Sequence, residues 1–193
     1  MKHIGIFGGS FNPVHIGHTM LASFLSQFTG IDEVWMTLSP LNPLKQGREE
    51  LIDDCSRLDM LKIAVEGCDY IDICDIELSM PRPSYTIDTL TSLQKRFPDY
   101  RFSIIIGSDN WLNFSRWKDY DIILERFGVI VYPRPGYDIT EKIDNPNVSF
   151  VNDAPIIEIS SSFIRESISE GKNMNYFLPS GVYKYITNHC LYK

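Results

Sequence analysis

Two short runs gather most of the residues that could do chemistry. The first is GIFGGSFNPVHIGH, residues 5–18. Gly8 and Gly9 directly follow an apolar segment and leave room for a ligand beside the backbone. A helix starting near His15 would aim unpaired N–H groups at the same space. His15 and His18 are three residues apart, so both fall on the first helical turn, where they would meet the ligand rather than a sheet. The chemistry implied is the holding of a phosphate. Yet the run matches neither G-x-x-x-x-G-K-[ST] nor G-x-G-x-x-G, so neither of these fingerprints explains it. The second run is ISSSFIR, residues 159–165, with Ser160 or Ser161 placed to cap a helix and Arg165 inside it. Alone, it reads equally well as an ordinary capped helix with a solvent-facing arginine.

Both runs follow apolar segments in a chain that alternates strand and helix patterns. HIGIFG reads as a strand, and Leu21, Phe24, Leu25 and Phe28 recur at helical spacing after it. EVWMTLS is a second strand. Leu51, Cys55, Leu58 and Leu61 continue a helical rhythm until Gly67. YIDIC follows, then a helix over Ile87, Leu90, Leu93 and Phe97 that Pro98 closes. RFSIIIG is the clearest buried strand, FGVIVYP and VSFV are two more, and SSFIRESISEG and SGVYKYITNH end the chain as short helices. Such alternation implies a doubly wound, Rossmann-like parallel α/β sheet with helices on both faces and a short helical C-terminus. Ligands in these sheets bind beyond the carboxyl ends of strands. The unusual segments GGSFNPVHIGH, SPLNPLK, GSDNWLNFSRW, YPRPG and ISSSFIR all sit just after strands.

Composition narrows the class. The 193 residues, 44% of them hydrophobic, suffice for one well-buried domain spanning 1–193, and no linker suggests a second. A net charge of −7 counts against a nucleic-acid binder that works through a broad basic face. With no signal-peptide pattern and no apolar run of membrane-spanning length, the expectation is a cytoplasmic protein without membrane contact. Cys55, Cys68, Cys74 and Cys190 lack C-x-x-C spacing, so reduced and mostly packed thiols are expected rather than a metal site. Whether the chain forms a homo-oligomer stays open.

The first run, Gly8-Gly9-Ser10-Phe11-Asn12-Pro13-Val14-His15-Ile16-Gly17-His18, resembles the signature G-G-x-F-[DN]-P-x-H-x-G-H of the nucleotidylyltransferase family, and Ile159 to Arg165 resembles its second signature, I-S-S-[ST]-x-[IL]-R. The two lie in the right order, and the resemblance covers nearly the whole chain. Within the family, PSYTIDTL (83–90) and IIIGSDNWLNFSRW (104–117) look like the bacterial nicotinate-nucleotide adenylyltransferases of NAD synthesis. The resemblance implies transfer of the adenylyl group of ATP, accompanied by Mg2+ on its phosphates, to nicotinate mononucleotide. Other acceptors, such as nicotinamide mononucleotide or phosphopantetheine, and a catalytically silent nucleotide sensor are the alternatives.

For an ionised phosphate attacking the α-phosphate, no strong base is needed, and positioning and charge stabilisation carry the reaction. His15 and His18 would then donate to phosphate oxygens, with His18 at the α-phosphate. Arg165, Ser161 and Ser162 would hold the departing β and γ groups. Gly8, Gly9, Ser10, Phe11, Gly107 and Asp109 would face ATP. Lys45 would reach phosphate or sit idle on its loop, because Leu44 stands where relatives carry a histidine. Asp109 reads either as a nucleotide contact or as a helix cap, and Arg134 in YPRPG as a ligand contact or a turn residue. By the same analogy Trp117 would stack on the pyridine ring beside Tyr85, and the backbone amides of Thr86 and Lys118, at helix starts, would receive its carboxylate.

Overall fold

The computed structural model describes residues 1–40, 51–139 and 144–193. Lys45 lies outside them. Six strands form one parallel sheet: β1 (His3–Gly9), β2 (Glu33–Leu38), β3 (Ile71–Cys74), β4 (Arg101–Gly107), β5 (Gly128–Tyr132) and β6 (Val148–Phe150), in the order β3-β2-β1-β4-β5-β6. The helices are α1 (Ile16–Phe28), α2 (Asp54–Val65), α3 (Thr86–Arg96), α4 (Ser108–Trp111), α5 (Tyr120–Arg126), α6 (Ser161–Ser169) and α7 (Val182–Asn188). Among the described residues, no helix is long and apolar enough to cross a membrane.

Period-two alternation along the strands builds a core on each face. Phe7, Val34, Met36, Ile105 and Ile130 pack with Leu25 of α1, Leu61 of α2, Ile164 of α6 and Ile186 of α7. Ile4, Ile6, Trp35, Ile104, Ile106 and Val129 turn the other way, toward Leu90 of α3 and Ile123 of α5. The doubly wound architecture expected from the alternation is therefore present. The strand order reverses between β1 and β4, and their carboxyl ends, at Gly8–Gly9 and Gly107, flank the crevice where such sheets take ligands.

Two local expectations are corrected, and one helix is added. The α2 helix begins at Asp54 behind the cap Asp53, whose carboxylate accepts from the Ser56 amide at 2.8 Å, so Leu51 precedes it. Its buried face is Arg57, Met60 and Leu61, and Cys55 is exposed. Cys190 is exposed too, and only Cys74 is fully buried, so the thiols are not mostly packed. The α5 helix falls in a stretch where the residue pattern signals no helix. Its seven residues are too few to establish a period, and it forms because the β4-to-β5 crossover needs a cover, which Ile123 supplies.

Candidate active site

The two signature runs converge above the reversal point. Past Gly9 the chain turns at Phe11, whose φ of 44° is left-handed, which is uncommon for a bulky residue. Burial explains how it is held. Phe11 is sealed in the core edge-on to Phe7 and His18, with ring centroids 6.0 and 5.1 Å away. A Cβ on Gly9 would lie 2.8 Å from the Phe11 ring, while one on Gly8 would meet only open space. Both glycines line the cavity, but a side chain would fare differently on each: Gly8 opens onto free space, and Gly9 leaves room for Phe11.

His15 is the N-cap of α1, and its ring stacks on that of His18 at 3.7 Å. The His15 backbone amide donates to Nδ1 of His18 at 3.2 Å. His15 is buried, and burial, helped by the charge of Arg134, lowers its imidazole to about 4. It is therefore neutral near pH 7. Among the described residues its buried Nδ1 has no hydrogen-bond partner, and the ring lines the cavity.

That cavity, of about 850 Å³, joins both histidines to Gly8, Ser10, Gly107, Asp109, Tyr85, Thr86, Trp117, Lys118, Ser161 and Ser162. It lies within the size range of small-molecule sites. Asp109 does not cap α4, whose cap is Gly107. It sits in the first turn with a buried Oδ1 that makes no hydrogen bond among the described residues and lies 3.6 Å from Nε of Arg134. A Cβ on Gly107 would sit 2.4 Å from that oxygen, so the close approach requires glycine. Arg134 is more than a turn residue. It lines the cavity, and its guanidinium donates to the Tyr132 hydroxyl at 3.0 Å.

On the other wall, Tyr85 caps α3 and Thr86 is its first residue, so the helix start faces the cavity as expected. Lys118 is not at a helix start, since α5 begins at Tyr120 behind Asp119. Its ammonium lies over the Tyr85 ring at 4.8 Å and pairs with Asp88 at 2.9 Å. That bond raises its pKa. Trp117 is half-buried against Phe114, and its buried Nε1 has no hydrogen-bond partner among the described residues.

The second run behaves otherwise than its residue types suggest. Ser160, not Ser161, caps α6, accepting from the Phe163 amide at 3.1 Å. The Ser161 hydroxyl donates to the Pro13 carbonyl at 2.9 Å, and Arg165 donates to the Asn12 carbonyl at 2.8 Å and to the Ser162 hydroxyl at 3.3 Å. Arg165 is not among the cavity-lining residues. In this arrangement the run braces the first loop, and the guanidinium keeps further N–H groups beyond the two named bonds.

Several contributors escape a reading of residue types. Arg57 is fully buried and donates to the carbonyls of Ser10 at 2.7 Å and Ser39 at 3.0 Å, where β1 and β2 end. Its signal was available: Arg57, Met60 and Leu61 share one helical face by their i, i+3, i+4 spacing. Glu77 lines the cavity and accepts from Ser84 at 2.7 Å and Thr89 at 3.0 Å, bracing the start of α3. Ile156 and Ile157 also line the cavity, from an irregular segment with no periodicity to betray it.

Comparison with known proteins agrees with this geometry. A cytidylyltransferase-like family model matches residues 6–167. A probable nicotinate-nucleotide adenylyltransferase of Azobacteroides pseudotrichonymphae is 48% identical over 186 residues, covering 96% of this chain and 97% of the relative. One from Bacteroides fragilis is 48% identical, covering 94% and 90%. Among solved structures, nicotinic acid mononucleotide adenylyltransferase of Plasmodium falciparum complexed with NaAD shares the fold with a TM-score of 0.79, at 22% identity over 100% of this chain and 98% of that one.

Proposed function

The chain belongs to the cytidylyltransferase-like family, and on that premise we propose that it transfers the adenylyl group of ATP to nicotinate mononucleotide, forming nicotinate adenine dinucleotide and pyrophosphate. The observation that carries this reading is one cavity over the β1/β4 reversal that holds the stacked histidines together with the aromatic wall of Tyr85 and Trp117. The relatives' names supply the acceptor.

In the reaction, a phosphate oxygen of the mononucleotide bonds to the α-phosphorus of ATP, and the bond to the bridging α–β oxygen breaks. The nucleophile arrives ionised, so no proton has to be removed. His18 donates to an α-phosphate oxygen, where charge builds in the transition state. His15, neutral, serves as a dipolar contact rather than a cation. Mg2+ bound with ATP would offset the charge of the phosphates. Asp109 is the carboxylate that fits a magnesium-bound water, because its buried Oδ1 makes no hydrogen bond among the described residues. Trp117 stacks on the pyridine ring, and the Thr86 amide at the start of α3 favours its carboxylate over a carboxamide.

The test is pyrophosphate release on mixing the protein with MgATP and one acceptor at a time, with the dinucleotide identified by mass. We expect turnover with nicotinate mononucleotide and roughly tenfold to a hundredfold lower kcat/KM with the nicotinamide form. Equal turnover with both, greater turnover with phosphopantetheine, or ATP binding without any turnover would overturn the reading.

A further inference from the structure

The loop that carries the first signature is tied down by donors from distant parts of the chain. The Ser10 carbonyl accepts from Arg57, the Asn12 carbonyl from Arg165 and the Pro13 carbonyl from Ser161. A fourth tie comes from 180 residues away in sequence: the Tyr192 hydroxyl donates to Oδ1 of Asn12 at 2.8 Å. Asn12 is fully buried, so this bond is made out of reach of bulk water, where a hydroxyl-to-amide bond holds its geometry. Tyr192 is well placed to be a stable donor. Its ring packs against the core formed by α1, α2, α6 and α7. Burial pushes its phenol up, which keeps the hydroxyl protonated at any working pH.

We propose that Tyr192 is a positioning residue of the transfer reaction, its hydroxyl holding Asn12 and, through the loop, the stacked His15 and His18. The link is short. Asn12 precedes the α1 cap His15 by three residues, and the cap backbone is itself bonded to the His18 ring. A loop released at Asn12 lets this histidine pair move relative to the α-phosphate, and misplacement of catalytic groups by about 1 Å can cost roughly a hundredfold in rate. Nothing in the tie touches the wall of Tyr85 and Trp117, so acceptor affinity should be insulated from it.

The experiment uses Tyr192→Phe, which keeps the ring and its packing. We expect kcat to fall about tenfold while KM for ATP and for nicotinate mononucleotide stays within about twofold, and the His15 and His18 imidazole resonances to move in 15N NMR spectra. The double variant Asn12→Ala/Tyr192→Phe should be no slower than Asn12→Ala alone, since both remove one contact. Parental kcat in Tyr192→Phe overturns the role whatever its melting temperature does. Independent, multiplying losses in the double variant overturn it as well. The inference rests on the proposed reaction: a parent protein that does not turn over refutes that reaction and this role with it, whereas an active parent with an unaffected Tyr192→Phe refutes the role alone.

Discussion

The two sides of the cavity are built by different means. At the loop corner, residues 11–15 are buried, and the carbonyls of Ser10, Asn12 and Pro13 accept from Arg57, Arg165 and Ser161. At the wall formed by Tyr85, Trp117 and Lys118, the side chains are half-buried or exposed, and the ion pair between Lys118 and Asp88 stands in solvent. Buried, satisfied networks are rigid and costly to disturb, while solvent-exposed pairs contribute little. Under the proposed reaction, the contrast would place catalytic precision at the corner and adaptable acceptor binding at the wall.

The sharpest way to break this contrast is Arg57→Ala. It leaves the Ser10 and Ser39 carbonyls without their donor, while Asp54 keeps Arg82, so it should cost about 3–5 kcal/mol of stability, roughly 1–3 for each orphaned carbonyl. A melt that shifts by only a degree or two would show that the corner does not depend on the buried cation. Next in size is His18→Ala, expected to lower kcat about a hundredfold or more with ATP affinity little changed. If steady-state kinetics instead gave near-normal kcat and a raised KM, the histidine would be a binding contact only.

On the wall, Trp117→Ala should reduce kcat/KM about tenfold for nicotinate and nicotinamide mononucleotides alike, because an aromatic face stacks on either ring. Their ratio should hold. Loss of the ratio with the amide's activity intact would move selectivity from the Thr86 amide to the indole. The smallest effect belongs to Lys118→Ala, which removes an exposed ion pair and keeps its backbone N–H. The acid-to-amide ratio should change by less than about twofold, and a larger change would mean that the ammonium leaves Asp88 to meet the substrate.

Much of the fold was legible because strand alternation and helix spacing are local signals. The six strands fall where apolar runs occur, and the chemistry-bearing segments follow them. Short elements were less legible. The α5 helix has too few residues for a period, and the phase of α2 was misread through Cys55 and Leu58, because a buried arginine occupies a place that pattern reading reserves for apolar residues.

The residue types and spacing of the first signature determined by themselves that a chemistry-bearing run would follow β1 and that His15 and His18 would meet on the first turn of one helix. Their partners were decided by the tertiary structure alone. Gly9 makes space for Phe11, the neutrality of His15 follows from its burial, and Ser161 and Arg165 bond to loop carbonyls 148 and 153 residues away. The physical reason is that a side chain's type states which bonds it can make, while desolvation and through-space neighbours decide which bonds it does make. Those neighbours, Arg57 and Tyr192 above all, come from segments that no local pattern connects to the loop they hold.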